Sequence, residues 1–327
     1  MKNKKMRTAL LSAVCLVFAG VVLLFIGMFL LGGTPGFYID GTGIHTSFQR
    51  GENQWQIKEK TRTDAFANIS VDVDYADIEI IESDDYYIEY QLENRAEPQF
   101  RVADKTLSLK NPESQQQGHF SFLDFTFFST DKELREDVVK IYVPKNADLK
   151  NITLYTGTGD ITLKDALTAE NVSITNDYGE VAIGTLTAKT ADLQVEAGDI
   201  RIESLTLDSL NVEDDYGNLR VDAYDCSEAE ITMSSGDVTF KNADFNTLAV
   251  ESEYGSVKIG VQKELEQYQL DLATEYGEIT LPDGSRIQQD ESRVSNSSGT
   301  SYPKAEQTVG KFSVSCESGD IRILHAK

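Results

Sequence analysis

Residues 151–163 read NITLYTGTGDITL, and residues 171–183 read NVSITNDYGEVAI. Both follow one plan: alternating apolar and polar residues, a corner with glycine, an acidic residue, then alternation again. Strict alternation sends successive side chains to opposite faces of a strand. The plan recurs as DLQVEAGDIRI (192–202), LNVEDDYGNLRV (210–221), EITMSSGDVTF (230–240), LAVESEYGSVKI (248–259), LDLATEYGEITL (270–281) and FSVSCESGDIRIL (312–324). The corner glycines are Gly159, Gly179, Gly198, Gly217, Gly236, Gly255, Gly277 and Gly319. They lie 20, 19, 19, 19, 19, 22 and 42 residues apart, so the last interval reads as two units, one blurred by residues 285–304.

One such unit cannot bury its own apolar face, but stacked units bury a continuous column. The sequence therefore predicts an all-β chain forming a β-solenoid of the parallel β-helix kind. Each coil takes ~19–20 residues and rises by about one strand spacing, ~4.8 Å. Eight or nine coils are expected. Inward residues after the corners run from Ile161/Leu163 to Ile321/Ile323, and before them from Ile152/Leu154 to Phe312/Val314. Each glycine is expected to permit a positive φ where a Cβ would clash. The competing architecture is a meander of hairpins with glycine at each apex. The even period favours the solenoid.

A second pattern rides on the first. The residue before the glycine is Tyr178, Tyr216, Tyr254 or Tyr276, each preceded by a carboxylate (Asp177, Asp215, Glu253, Glu275), while Thr158, Ala197, Ser235 and Ser318 occupy the other corners. The early repeat thus alternates with a period of 38 residues. Such a row could be a glycan-binding aromatic ladder or a partner-binding stripe. It is read first as aromatic packing on an outer corner, and carried forward as a candidate contact surface.

Upstream, residues 9–31 (ALLSAVCLVFAGVVLLFIGMFLL) contain no charge. A helix of that length rises about 34 Å, enough to cross a ~30 Å hydrocarbon core. Lys2, Lys4, Lys5 and Arg7 precede it, which puts residues 1–8 in the cytoplasm and the rest outside. The run is too long, and GGTPG too poor a cleavage site, for a removed signal peptide. The expected organisation is a cytoplasmic tail (1–8), a transmembrane signal anchor (9–31), a membrane-proximal linker (32–62), an N-terminal β region (63–150) and solenoid repeats (151–327). Within residues 63–150, Tyr75-Ala76-Asp77 matches the later Tyr-Gly-acid corners with alanine for glycine. An insert at 119–129 carries Phe120, Phe122, Phe125, Phe127 and Phe128. It reads as a cap over an open end of the solenoid, or else as a membrane- or partner-contacting patch.

The chain has 54 acidic and 30 basic residues, a net charge of -24. That opposes nucleic-acid binding, which needs a basic track. Removing the four basic residues of the tail leaves 54 acidic against 26 basic residues in the exported part. Cys226 and Cys316 lie in alternating stretches and read as buried core residues, without a disulfide framework.

The "VDVDYADIEII" opening, the "IYVPKNADLKNITLYTGTGDITL" centre and the recurring (D/E)YG and (S/A)GDI units resemble a bacterial β-strand-repeat family known as putative adhesin, a domain of unknown function. The single N-terminal anchor resembles LiaG-like membrane proteins of cell-envelope stress operons. The resemblance spans about residues 64–327. It implies an exported solenoid and carries over no catalytic residue.

Searches for chemistry return little. The acids after the glycines (Asp160, Glu180, Asp199, Asp237, Glu278, Asp320) recur at six of the eight corners as solvated turn residues would, leaving only weak Ca²⁺ binding conceivable. Ser301-Tyr302-Pro303-Lys304 matches a Ser-x-x-Lys string, but with proline in a Ser/Gly-rich loop. His45, His119 and His325 show no ligand spacing. No catalytic, metal or cofactor residue is assigned. The expected protein is a non-enzymatic, membrane-anchored extracytoplasmic solenoid that binds or scaffolds an envelope protein or cell-wall polymer. The alternative is an envelope polysaccharide-modifying enzyme with a solenoid groove.

Overall fold

The alternating stretches pair with one another in parallel, one repeat against the next, and so build the predicted coils. The computed structural model describes residues 37–40, 43–46, 55–93, 98–111, 123–124, 137–288, 292–295 and 308–326. Residues 9–31 and the five phenylalanines of the 119–129 insert lie outside them. Among the described residues, no helix is long and apolar enough to cross a membrane. Two compact units are present. In the first (Met1–Gln54 with Ser114–Arg135), Phe37–Asp40 pairs antiparallel with Gly43–Thr46 and with Leu123–Asp124.

The second unit, Trp55–Glu113 with Glu136–Lys327, is the solenoid. Every inward position read from the sequence is buried, from Ile152 and Leu154 through Ile321 and Ile323. The parallel pairing excludes the hairpin meander. The stack also continues upstream of residue 150, because Asn151–Thr158 pairs in register with Asn68–Tyr75.

Among the described residues the stack has ten coils and nine corners, one corner more than the glycine count gave, and the spatial order of the coils differs from their chain order at both ends. Numbered along the stack, coil 1 is Thr106–Lys110 with Val138–Pro144, and coil 2 is Asn68–Tyr75 with Asp77–Ser83. Coil 3 is Asn151–Thr158 with Ile161–Thr168, and coil 4 is Asn171–Tyr178 with Val181–Thr187. Coils 5 to 8 place their corners at Gly198, Gly217, Gly236 and Gly255. Coil 9 is the C-terminal segment, Gly310–Ser318 with Ile321–His325. Coil 10 is Tyr268–Tyr276 with Glu278–Thr280. Residues 68–83 and 310–325 are therefore each tucked one place in from an end of the stack.

This order corrects the reading of the 42-residue interval. Among the described residues no further coil fills it. Arg286–Gln288 and Ser292–Ser295 instead run antiparallel along coil 10 and cover its open edge. At the other end Gln99–Ala103 and Tyr87–Glu93 cover coil 1 antiparallel, with Trp55–Arg62 outside Tyr87–Glu93. Antiparallel covers of this kind remove the pairing edges that a bare stack would offer to other chains. Inside, Phe245, Tyr268 and Phe312 close the column near coil 10, with ring centroids 4.8–5.9 Å apart. Cys226 and Cys316 are buried and free, as expected.

The corners show why glycine recurs. A Cβ on Gly198 would lie 1.8 Å from the carbonyl oxygen of Gly179, and one on Gly217 1.9 Å from that of Gly198. The same clash, at 1.7–2.3 Å, occurs at every corner glycine. Positive φ is less general, since Gly217 and Gly277 lack it. The shared requirement is close approach between coils. Ala76 escapes it: the two strands of coil 1, Thr106–Lys110 and Val138–Pro144, are not joined by a glycine corner and are separated in the chain by residues 111–137.

Candidate functional site

The residue before each corner glycine forms one continuous row, fixed by backbone pairing. In stack order it reads Tyr75, Thr158, Tyr178, Ala197, Tyr216, Ser235, Tyr254, Ser318, Tyr276. Tyrosine and small residue alternate without exception. Along the chain the alternation fails, because Tyr254 and Tyr276 are consecutive members. The insertion of coil 9 between coils 8 and 10 restores it.

All five tyrosines are exposed, by 58% to 74%. Alternation along a strand would turn each one inward, but the corner rotates it out. Among the described residues, no ring contact joins any two of them. Strands stack 4.7–4.9 Å apart, so rings on alternate coils stand about 9.5 Å from one another. The reading of this row as stacked aromatic packing is thus replaced by a comb of separate, solvent-facing platforms. Tyr75 was overlooked as a member, although its Tyr-Ala-Asp sequence was the available signal.

On one side of the comb runs an acidic row: Asp74, Asp177, Glu196, Asp215, Glu253, Glu317 and Glu275. Of these, Asp177 accepts a hydrogen bond from the Tyr155 hydroxyl at 2.9 Å. That bond, with burial behind it, pushes the phenol up to about 12. Asp215 accepts from Ser234 at 3.2 Å. Glu196, Glu253, Glu275 and Glu317 are exposed.

On the other side the acids that follow the glycines have a different task from the one expected. Four of the six, Asp160, Asp199, Asp237 and Asp320, cap backbone amides of the adjoining coil rather than simply facing water. Asp77 accepts from the amide of Asp160 and Asp160 from that of Glu180, both at 2.8 Å. Asp199, Asn218, Asp237 and Asp320 do the same for Asn218, Asp237, Ser256 and Glu278 at 2.8–3.1 Å. Burial opposes the charge of Asp199, but the Asn218 amides and the Arg201 guanidinium outweigh it and hold the carboxyl low. Beyond the caps, Arg201 pairs with Glu180 and Asp199, and Lys241 with Asp222, along the strands that follow the corners. Among the described residues, no group of His, Cys, Asp or Glu is arranged to hold a metal ion.

Beneath the corners lies a buried polar column that sequence reading missed. Thr156, Asn176, Cys316 and Thr274 donate to the corner carbonyls of Ala76, Gly159, Gly255 and Gly319 at 2.9–3.2 Å. Asp214 occupies the equivalent place in coil 6, between Val195 and Met233. It is 3% exposed, and neither carboxylate oxygen has a well-formed hydrogen bond, the Tyr216 amide beside it giving only a weak one. Burial above all, and then the charges of Asp199 and Asp215, raise it to about 7, against the pull of the Tyr216 amide.

A family model described as Toastrack DUF4097 matches residues 66–324. Among solved structures, a putative adhesin from Bacteroides fragilis is 17% identical at a TM-score of 0.47, over 83% of this chain and 98% of that chain. A putative adhesin from Parabacteroides distasonis is 13% identical at a TM-score of 0.47, over 83% and 98%. A putative lipid binding protein from the same species is 16% identical at a TM-score of 0.46, over 84% and 98%. None of the curated proteins matches the chain.

Proposed function

Because the chain belongs to the Toastrack DUF4097 family, and because its solenoid carries a regular exposed comb, we propose that it is a non-enzymatic binding protein of the bacterial cell envelope. The helix at 9–31 anchors it in the membrane with the solenoid outside. The comb is the contact surface, and the stack is the ruler that spaces it. The observation that carries this reading is the strict alternation of exposed tyrosine and small residue along one edge. Neither folding nor core packing demands it, since the small residues serve the same corners equally well.

The enzymatic alternative has less support. The carboxyl whose proton affinity is raised most among the described acids, Asp214, is sealed inside the column, where no substrate reaches it. The corner acids are occupied as backbone caps or in ion pairs. A glycosidase needs two accessible carboxyl groups of different proton affinity facing one bond.

Capture tests the proposal. The full-length protein, immobilised from detergent, is exposed to solubilised envelope material alongside the variant Tyr178→Ala/Tyr216→Ala/Tyr254→Ala. Retention of a component by the parent and its loss by the folded variant is expected. Equal retention by both would remove the comb from the function.

A further inference from the structure

We infer that the comb binds an extended, amine-bearing glycan, with one disaccharide per two coils. The inference rests on the comb being the contact surface and adds the chemistry of what it contacts. The argument begins with the interval. Five platforms at about 9.5 Å span about 38 Å along one edge of the stack, because backbone pairing fixes every member. A ligand that engages them all is a linear polymer whose own repeat matches the interval.

Two common polypeptide forms match poorly, and the third matches in length but not in its manner of docking. A β-strand presents one face about every 6.7 Å. Two turns of α-helix take about 10.8 Å, a mismatch of about 5 Å over four intervals. A polyproline II chain repeats at about 9.3 Å. Proline-rich chains dock in grooves lined by neighbouring aromatics, whereas here each ring stands alone with Thr158, Ala197, Ser235 or Ser318 between platforms. A β-1,4-linked pyranose chain turns over at each sugar and restores its face at each disaccharide, a repeat somewhat longer than the two-coil interval but with the same two-step alternation as the row. One sugar of each pair then lies on a tyrosine ring. The next, turned over, sits above a notch, where Thr158, Ser235 and Ser318 supply hydroxyls.

Charge narrows the class. Each platform is preceded by a carboxylate: Asp74, Asp177, Asp215, Glu253 or Glu275. An anionic polymer is repelled by this row and by a net charge of -24. An ammonium on every disaccharide is attracted to it, and gains further from the ring face beside it.

The test uses β-1,4-linked glucosamine oligomers of two to twelve sugars, with N-acetylated oligomers and a lysine- and proline-rich peptide as comparators. Binding to the full-length protein in detergent is measured by calorimetry at pH 6. Affinity should rise with each disaccharide until the comb is spanned, then level off. Tyr216→Ala should weaken the longest oligomer about five- to tenfold without moving the melting temperature. Ser235→Tyr adds an aromatic but blocks a notch, and should also weaken it. Length-independent binding, tighter binding by Ser235→Tyr, or stronger binding of the peptide would overturn the inference. Equal binding of the acetylated oligomers would overturn the amine requirement. If no oligomer binds while the triple variant still loses its envelope ligand, the glycan is wrong and the contact surface stands. If the triple variant loses nothing, the contact surface itself is wrong.

Discussion

Tyr254 and Tyr276 are consecutive comb residues along the chain, yet Ser318 lies between them in the stack and pairs with both. The last coil of the sequence is thus the one that sets the phase of the row. Deleting residues 308–327 removes Phe312, Val314, Ile321 and Ile323 from the interior, at about 1.5–3 kcal/mol each. The expected outcome is a fall in the urea midpoint and loss of protection of coil 10 in hydrogen exchange. Unchanged protection of residues 268–280 would contradict the insertion of coil 9.

The corner glycines separate two costs that are often merged. Gly217 lacks a positive φ, but its added methyl would meet the Gly198 carbonyl at 1.9 Å. Gly284 has a φ of 83°, and an added methyl there meets nothing within 4 Å. Gly217→Ala should cost about 3 kcal/mol or more, because two coils must separate. Gly284→Ala should cost about 1 kcal/mol, for backbone strain alone. Equal costs in denaturant titration would show that conformation, not close approach, selects the glycines.

Asp237 accepts the Ser256 amide while its own amide is capped by Asn218. Asp237→Ala should destabilise by about 1 kcal/mol, since water partly replaces the lost acceptor at this exposed corner. Asp237→Asn should be nearly neutral, because Asn218 performs the same task one coil away. A cost for the asparagine variant equal to that for alanine would assign the effect to charge instead.

Asp214 makes stability depend on pH in an unusual direction. Its carboxyl moves from 3.8 to about 7 on folding, so the folded state holds the proton more tightly. The contribution is complete below about pH 4 and is lost as pH rises to about 7, by up to about 4 kcal/mol. Asp214→Asn supplies the amide donor that Asn176 already provides in coil 4. The variant should exceed the parent in urea midpoint at pH 8, by a margin that shrinks at pH 5. A margin independent of pH would mean that Asp214 does not titrate in this window.

Much of this architecture was legible because apolar alternation, turn chemistry and repeat length all point to one answer. Ile161 and Leu163 could be placed inward from alternation alone. The order of the coils could not, because alternation specifies which face is buried and says nothing about which coil lies beside which. The two displaced coils are therefore where the 42-residue interval misled. The caps made by Asp77, Asp160 and Asp237 were hidden for a related reason: a solvated turn carboxylate and one that accepts an amide from the adjoining coil have the same local sequence. The comb was half visible. Four of its five tyrosines stand out in the sequence, but their exposure depends on the twist of each corner, and the phase of Tyr276 on a segment 42 residues further along the chain.

The tucked ends constrain how a protein of this kind can change its length. A coil added at either terminus has no seat, because each outermost place is held by a segment from further inside the chain and is already covered. Growth has to occur in the middle. There a single inserted coil would set two tyrosines side by side or two small residues together, shifting every platform beyond it by half a period. The insertion that preserves the alternation is accordingly a pair of coils, 38 residues in the central repeats. Relatives that differ in reach while keeping a working edge should differ by whole pairs.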